Sequence, residues 1–210
     1  MEGDPPSSND RRRACPRDVK GLLIAFEGLD QSGKQTQAEL LRDRLSAGRR
    51  VRLLSFPAYE TPIGSEIERA LRGRRDYGAD VMQLLYIANR YELKPQIDDE
   101  RNRGTVLICD RYLASSVAYG EAQGLDPAWL LEIQRHLPQP DLTFLLDIAP
   151  EVSARRKTAD RDKYERDLAL LGRVRESYLR QAAQGWVRLS ADRDRAEVAV
   201  DVYAAVENLL

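Results

Sequence analysis

Gly28-Leu29-Asp30-Gln31-Ser32-Gly33-Lys34-Gln35-Thr36 follows the apolar run Leu22-Leu23-Ile24-Ala25-Phe26 and precedes a helical stretch, Gln37 to Ala47. A buried strand, a glycine turn and a helix start, in that order, form the setting of a phosphate-binding loop. Gly28 and Gly33 lack a Cβ, so the backbone can curl until several N–H groups face one polyphosphate, while Lys34 sets an ammonium among its oxygens. The stretch departs from the full G-x-x-x-x-G-K-[ST] pattern at one place. Gln35 stands where a magnesium-ligating hydroxyl is expected, and Thr36 comes one residue later.

Around this loop, composition narrows the choices. At 210 residues the chain suits one domain with a full core, or one with a small lid added. Lys and Arg number 33 against 34 Asp and Glu, a balance that points to neither a nucleic-acid nor a membrane partner. Cys15 and Cys109 are too few and too far apart for a disulfide framework, and no apolar run approaches a membrane span. A reducing cytoplasm is the default expectation. Residues 1–20, with Asp4-Pro5-Pro6-Ser7-Ser8 and then Arg11-Arg12-Arg13, read as a disordered leader, and 21–210 as a single domain.

Beyond the loop, Ala38, Leu40, Leu41 and Leu45 recur at helical spacing. Val51 to Phe56 reads as a second strand, with Pro57 marking its exit. Ile63 to Leu71 and Val81 to Ile97 read as helices, the second with Val81, Leu84, Leu85, Ala88 and Tyr91 on its apolar face and a polar Asn89-Arg90-Tyr91-Glu92 interrupting it. Strands are expected at Thr105 to Asp110, Leu142 to Ile148 and Trp186 to Ser190. Helices are expected at Asp126 to His136, Glu151 to Lys157, Asp167 to Ala183 and Ala196 to Leu209. Alternation of this kind predicts an α/β, doubly wound parallel sheet with its ligand at the carboxyl ends of the strands.

Two strands end in a carboxylate. Asp110 is preferred over Asp147 for the site, because Arg111 and Tyr112 follow it at once and place a guanidinium at a strand's carboxyl end, where an anionic acceptor could be clamped. The run from Arg155 to Glu165 has the position and length of a closing lid whose arginines meet a transferring phosphoryl group. The lone His136 reads as structural. No nucleophile–base pair is visible, and phosphoryl transfer requires none.

Phe26-Glu27-Gly28-Leu29-Asp30, Phe56-Pro57, Ala88-Asn89-Arg90-Tyr91-Glu92, Asp110-Arg111-Tyr112 and Tyr164-Glu165, in this order and spacing, resemble the motif set of the thymidylate kinase family. The resemblance runs from about Gly21 to the end. It implies a P-loop NTPase-type five-stranded parallel sheet with a short helical lid at about 155–165, a homodimer, and transfer of the γ-phosphoryl group of ATP to dTMP. Carried over, Gly28, Gln31, Ser32, Gly33, Lys34, Gln35, Thr36 and Arg156 would bind ATP, with Arg156 reaching towards adenine. Asp30 would take the acceptor's 3′-hydroxyl and Arg111 its phosphate. Tyr86 would stack on thymine, Phe56 would line the base pocket and Arg90 would donate to O4. Ser115 and Ser116 would lie near the base edge, Tyr119 would crowd the place of a ribose 2′-hydroxyl, and Tyr164 would cover the sugar. Lys34, Asp110, Arg111 and Arg161 are the expected catalytic set. Mg2+ would be held mostly through phosphates and water, near Thr36 and Asp110.

Three departures from the family pattern stand out. Phe56-Pro57-Ala58-Tyr59 lacks the arginine that some relatives use as a second phosphate clamp, leaving Tyr59 or Arg111 to compensate. Gln31 occupies a loop position that holds arginine in the eukaryotic type, so a lid cation, with Arg161 the first choice, would have to stand in. Lys34-Gln35-Thr36-Gln37 is similar to the Lys-Gly-Thr-Gln of adenylate kinases. Another P-loop nucleotide or deoxynucleoside kinase, or a catalytically weak nucleotide-binding sensor, would share the loop. A GTPase is disfavoured by the lack of an Asn-Lys-x-Asp motif.

Overall fold

β1 (Leu23–Glu27) is buried along its whole length and pairs in parallel on both sides, which explains why its sequence is apolar until the final carboxylate. In the computed structural model, which describes residues 20–156 and 167–210, a five-stranded sheet has the order β2-β3-β1-β4-β5. The other strands are β2 (Val51–Ser55), β3 (Val106–Asp110), β4 (Leu142–Asp147) and β5 (Val187–Ser190), and every pairing is parallel. This is the doubly wound P-loop NTPase-type architecture the sequence predicts. Arg161 and Tyr164, expected in a lid, and nearly all of the expected leader lie outside the described residues.

Side chains of β1 alternate between the two faces of the sheet. Ile24 and Phe26 join Val106, Ile108 and Phe144 in the larger core, where the Phe26 and Phe144 rings stack at 5.0 Å. Leu23 and Ala25 join Leu107 and Cys109 against Leu54, Phe56, Ile97 and Tyr112. The helices over these faces are α1 (Lys34–Ser46), α2 (Pro62–Leu71), α3 (Ala79–Asn102), α4 (Leu113–Ala122), α5 (Pro127–Glu132), α6 (Pro150–Arg156), α7 (Leu168–Ala182) and α8 (Arg195–Glu207). Several begin at side-chain caps: Thr61 accepts from Gly64 N–H, Asp126 from Ala128 N–H, Asp167 from Leu170 N–H and Asp194 from Ala196 N–H.

Five expectations are corrected. α1 starts at Lys34, a turn before Gln37, because Lys, Gln and Thr carry no apolar signal although the helix has begun. α5 stops at Glu132, with only turns on to His136. Phe56 lies just past β2, at a cis Phe56–Pro57 bond. On α3 the expected inner face is partly turned outwards: Val81 and Leu84 are 38% and 45% exposed, while Gln83, Asn89 and Arg90 are buried. Leu40 of α1 is likewise exposed.

The polar stretch of α3 has a structural reason. Asn89 Oδ1 accepts the Ala58 N–H at 2.8 Å, and its Nδ2 donates to Thr61 Oγ1 at 2.8 Å and Glu92 Oε2 at 3.0 Å. Glu92 also accepts from the Thr61 hydroxyl and the Ile63 N–H. These bonds brace the loop after β2 against α3 and so form one wall of the site.

Candidate active site

Sheet register, not sequence proximity, assembles the site. Phe26 of β1 stands opposite Asp110 of β3, so the glycine loop leaving β1 and the Asp110-Arg111 turn leaving β3 emerge side by side at the carboxyl ends of adjacent strands.

In the loop, Gly28 adopts φ 140, and a Cβ there would lie 2.4 Å from the Leu146 carbonyl oxygen. Only glycine fits so close a passage beside β4. Gly33, at φ 91, caps α1 without a side-chain bond, and Gln37 N–H is the donor to its carbonyl. The N–H groups of Lys34, Gln35 and Thr36 thus form the open first turn of a helix, the arrangement that attracts an anion. Lys34 is buried, and its Nζ donates to the Leu29 carbonyl at 2.8 Å. Burial, followed by the Arg111 charge, lowers its pKa to about 8, against the opposing pull of Asp30, Asp110 and Glu27. Ser32 is buried with its hydroxyl unpartnered. The Gln35 side chain turns to solvent and donates to Glu39, so what it can offer a nucleotide is its backbone N–H. Arg156 does not extend freely towards a base: it donates to the carbonyls of Gln31 at 3.1 Å and Ala191 at 2.9 Å, tying α6 to the loop.

Beside the loop is a pocket lined by Asp30, Phe56, Pro57, Tyr59, Tyr86, Arg90, Arg111, Ser115, Ser116 and Tyr119, with Leu71, Gln83 and Gln123 at its walls. It brings together every described residue expected to bind the acceptor. Arg90 donates from Nη1 to Ser116 Oγ at 2.7 Å and to the Tyr86 carbonyl at 3.3 Å, and its guanidinium lies 5.9 Å from the Phe56 ring centre. Its Nε is buried with no partner, a donor available for a ligand. At the other end Arg111, with φ 64, pairs through Nη2 with Asp30, while Tyr119 donates to Asp30 Oδ2 at 3.1 Å. Burial would raise the Asp30 pKa, but the charges of Arg111 and Lys34 and the hydrogen bonds of Arg111 and Tyr119 outweigh it, leaving about 2. Asp30 is therefore an anion, a hydrogen-bond acceptor in the pocket lining.

Ser115 lines the pocket as expected, and its hydroxyl donates to Glu27 Oε2 at 2.7 Å. Sequence reasoning missed Glu27, Gln83 and Tyr178. Only Glu27 carried a signal, as the carboxylate that closes the apolar strand leading into the glycine loop.

Asp110 and Asp147, the aspartates that end β3 and β4, differ. Asp147 is saturated, with Arg175 Nε at 2.6 Å and Arg188 Nη2 at 2.7 Å. Asp110 Oδ1 is buried without a hydrogen-bond partner beside the loop, which suits a metal-bound water.

Comparison with known proteins agrees with this geometry. The family model described as thymidylate kinase matches residues 26–202. A thymidylate kinase of Schizosaccharomyces pombe is 39% identical over 148 residues, 70% of each chain. That of Arabidopsis thaliana is 35% identical over 199 residues, covering 94% of this chain and 75% of its own. The solved thymidylate kinase structure of Candida albicans superposes with a TM-score of 0.81 at 31% identity, over 90% of this chain and 92% of that one. With a glycine loop and an acceptor pocket meeting at the Asp30–Arg111 pair, and with these matches across most of its length, the chain belongs to the thymidylate kinase family.

Proposed function

We propose that the chain transfers the γ-phosphoryl group of ATP to dTMP, giving dTDP and ADP. The observation that carries this is the Asp30–Arg111 pair, in which a residue of the glycine loop is joined to the arginine of the acceptor pocket. Donor phosphates would sit on the open turn of α1 with Lys34 leaving the Leu29 carbonyl to meet them. Arg111 would hold the acceptor phosphate, Asp30 would accept the 3′-hydroxyl, and the Tyr119 ring would fill the space a 2′-hydroxyl needs. Tyr86 and Phe56 would enclose the base and Arg90 would donate to O4. Positioning and charge neutralisation then do the chemistry.

Mg2+ belongs to this proposal, because the unpartnered Asp110 Oδ1 and the hydroxyl of Thr36 on the first turn of α1 fit a cation held largely through phosphates and water. When bound it would neutralise phosphate charge. Arg161 is proposed as the lid cation that stands in for the arginine absent at Gln31, and Tyr164 as a cover for the sugar, within a lid at about 155–165 of one kinase domain starting near residue 21. A homodimer is proposed through the α3 stripe of Val81 and Leu84, whose exposure supports it. A cytoplasmic setting is supported by Cys109, a buried thiol with no disulfide. No helix among the described residues is long and apolar enough to cross a membrane.

A coupled ADP-release assay tests the central reading. Turnover that depends on dTMP supports it; turnover only with another nucleotide, or nucleotide binding without turnover, would overturn it. Sedimentation of wild type and Leu84→Glu tests the dimer, expected to dissociate in the variant.

A further inference from the structure

One buried carboxylate, Glu27, holds groups on both sides of Arg111: the Tyr112 N–H next to its backbone, and the Ser115 and Tyr178 hydroxyls at the end of its side chain. The Arg111 backbone lies in the left-handed region, at φ 64, a conformation that costs a non-glycine residue energy unless its surroundings enforce it. Two bonds enforce it: Arg111 N–H to the Phe26 carbonyl at 2.9 Å, and Tyr112 N–H to Glu27 Oε1 at 2.8 Å. At the far end of the side chain, Nη1 donates to the Gly28 carbonyl at 3.2 Å and to two hydroxyl oxygens, Ser115 Oγ and Tyr178 Oη, each at 3.3 Å.

Those hydroxyls have one proton each, and Glu27 decides where the protons go. Ser115 donates to Glu27 Oε2 at 2.7 Å. Tyr178 reaches the same oxygen at 3.1 Å and Ser115 Oγ at 2.8 Å. Whichever bond Tyr178 makes, both hydroxyl oxygens keep lone pairs turned to Arg111, and the dipoles run from guanidinium to carboxylate. Glu27 and Tyr178 are 0% and 1% exposed, so water does not replace either one. Meanwhile Nη2, the other arm, pairs with Asp30 at the pocket. The two arms have separate partners: Nη1 is anchored inside by Gly28, Ser115 and Tyr178, and Nη2 pairs with Asp30, which lines the pocket.

We infer that Tyr178, on α7, is a positioning residue for the acceptor: its hydroxyl, polarised by Glu27, fixes the Arg111 guanidinium so that the outer arm meets the acceptor phosphate. This rests on the proposed role of Arg111 as the phosphate clamp and adds what sets its direction. The phenol stays neutral throughout, since burial and then the Glu27 charge push its pKa upwards.

Tyr178→Phe removes the hydroxyl and keeps the ring that packs in the core. In the full chain, kcat/KM for dTMP is expected to fall about tenfold, as for loss of a hydrogen bond to a charged group, with KM for ATP within about twofold of wild type. Calorimetry should show weaker binding of dTMP but unchanged binding of thymidine, which has no phosphate for Arg111 to read. In an Arg111→Ala background the Tyr178→Phe change should add nothing. Equal losses for dTMP and ATP, equal weakening for dTMP and thymidine, or a full effect in the Arg111→Ala background would each overturn the inference. If Tyr178→Phe does not fold, Ser115→Ala removes the other bridging hydroxyl and is read by the same criteria. Arg111→Ala with dTMP affinity intact would sink the clamp itself; a strong Arg111→Ala effect with a silent Tyr178→Phe removes only the positioning role.

Discussion

The glycine loop and the acceptor pocket sit beside each other, yet they are built by opposite means. The loop is one contiguous stretch whose working groups are main-chain N–H donors and one lysine, shaped by Gly28 and Gly33. The pocket is made of side chains delivered by the glycine loop itself, the loop after β2, α3, the turn after β3 and α4. A site made of backbone tolerates changes in side chains that a site made of side chains does not. Gln35 illustrates the first case, its amide turned outwards to Glu39, and Arg90 the second, buried with Nη1 held by Ser116 and the Tyr86 carbonyl.

Substitutions should separate the two regions cleanly. The largest effect is expected from Lys34→Ala, the one side chain on which the loop depends. Its kcat should fall by about 10²–10³, as for removal of a preorganised charge partner, while dTMP affinity and the thermal midpoint change little. A folded variant with near-wild-type turnover would remove the loop from the mechanism. Next comes Arg90→Ala, which should raise KM for dTMP by about tenfold or more, the value of a charge-assisted hydrogen bond, and leave KM for ATP alone. Equal shifts in both constants would mean the two regions are not separable. Tyr119→Ala should then improve the kcat/KM of the ribonucleotide relative to dTMP by several-fold, on the order of tenfold at most; an unchanged ratio places the gate elsewhere.

The smallest effect is in pH. With Lys34 lowered to about 8, the free enzyme loses its loop cation on passing that pH, so kcat/KM for ATP should be halved near pH 8 and continue down, whereas Lys34→Arg should be flat. Stability moves the other way. Between about 8 and the ordinary 10.5, the unfolded chain holds the lysine proton more tightly than the folded one, so stability should rise with pH across that window. Chemical denaturation at pH 8 and pH 10, wild type against Lys34→Ala, measures it.

The same contrast explains what could be read in the sequence. The strand–loop–helix order and the Asp110-Arg111 turn are local in the chain, and they appear where expected. The face of α3 is only partly legible, because Val81 and Leu84 follow a helical period yet are exposed, while Gln83, Asn89 and Arg90 turn inwards beside the apolar Met82, Ile87 and Ile97. Periodicity scores apolarity, and at Asn89 and Arg90 burial serves hydrogen bonding to a loop and a pocket. The choice of Asp110 over Asp147 was made on neighbours in sequence, and the physical difference, two arginines on Asp147, comes from α7 and β5. Tyr178 lies 151 positions from Glu27, a pairing that only the folded chain reveals.

One consequence follows from Phe26 standing opposite Asp110. The donor loop and the acceptor clamp are rooted one ladder rung apart, and neighbouring strands keep a spacing of about 4.8 Å. On the proposed placement of donor and acceptor, the sheet would act as a ruler, setting how far the two nucleotides stand from each other before either has arrived. The span across which the phosphoryl group would move is then written into the backbone lattice before any side chain takes part.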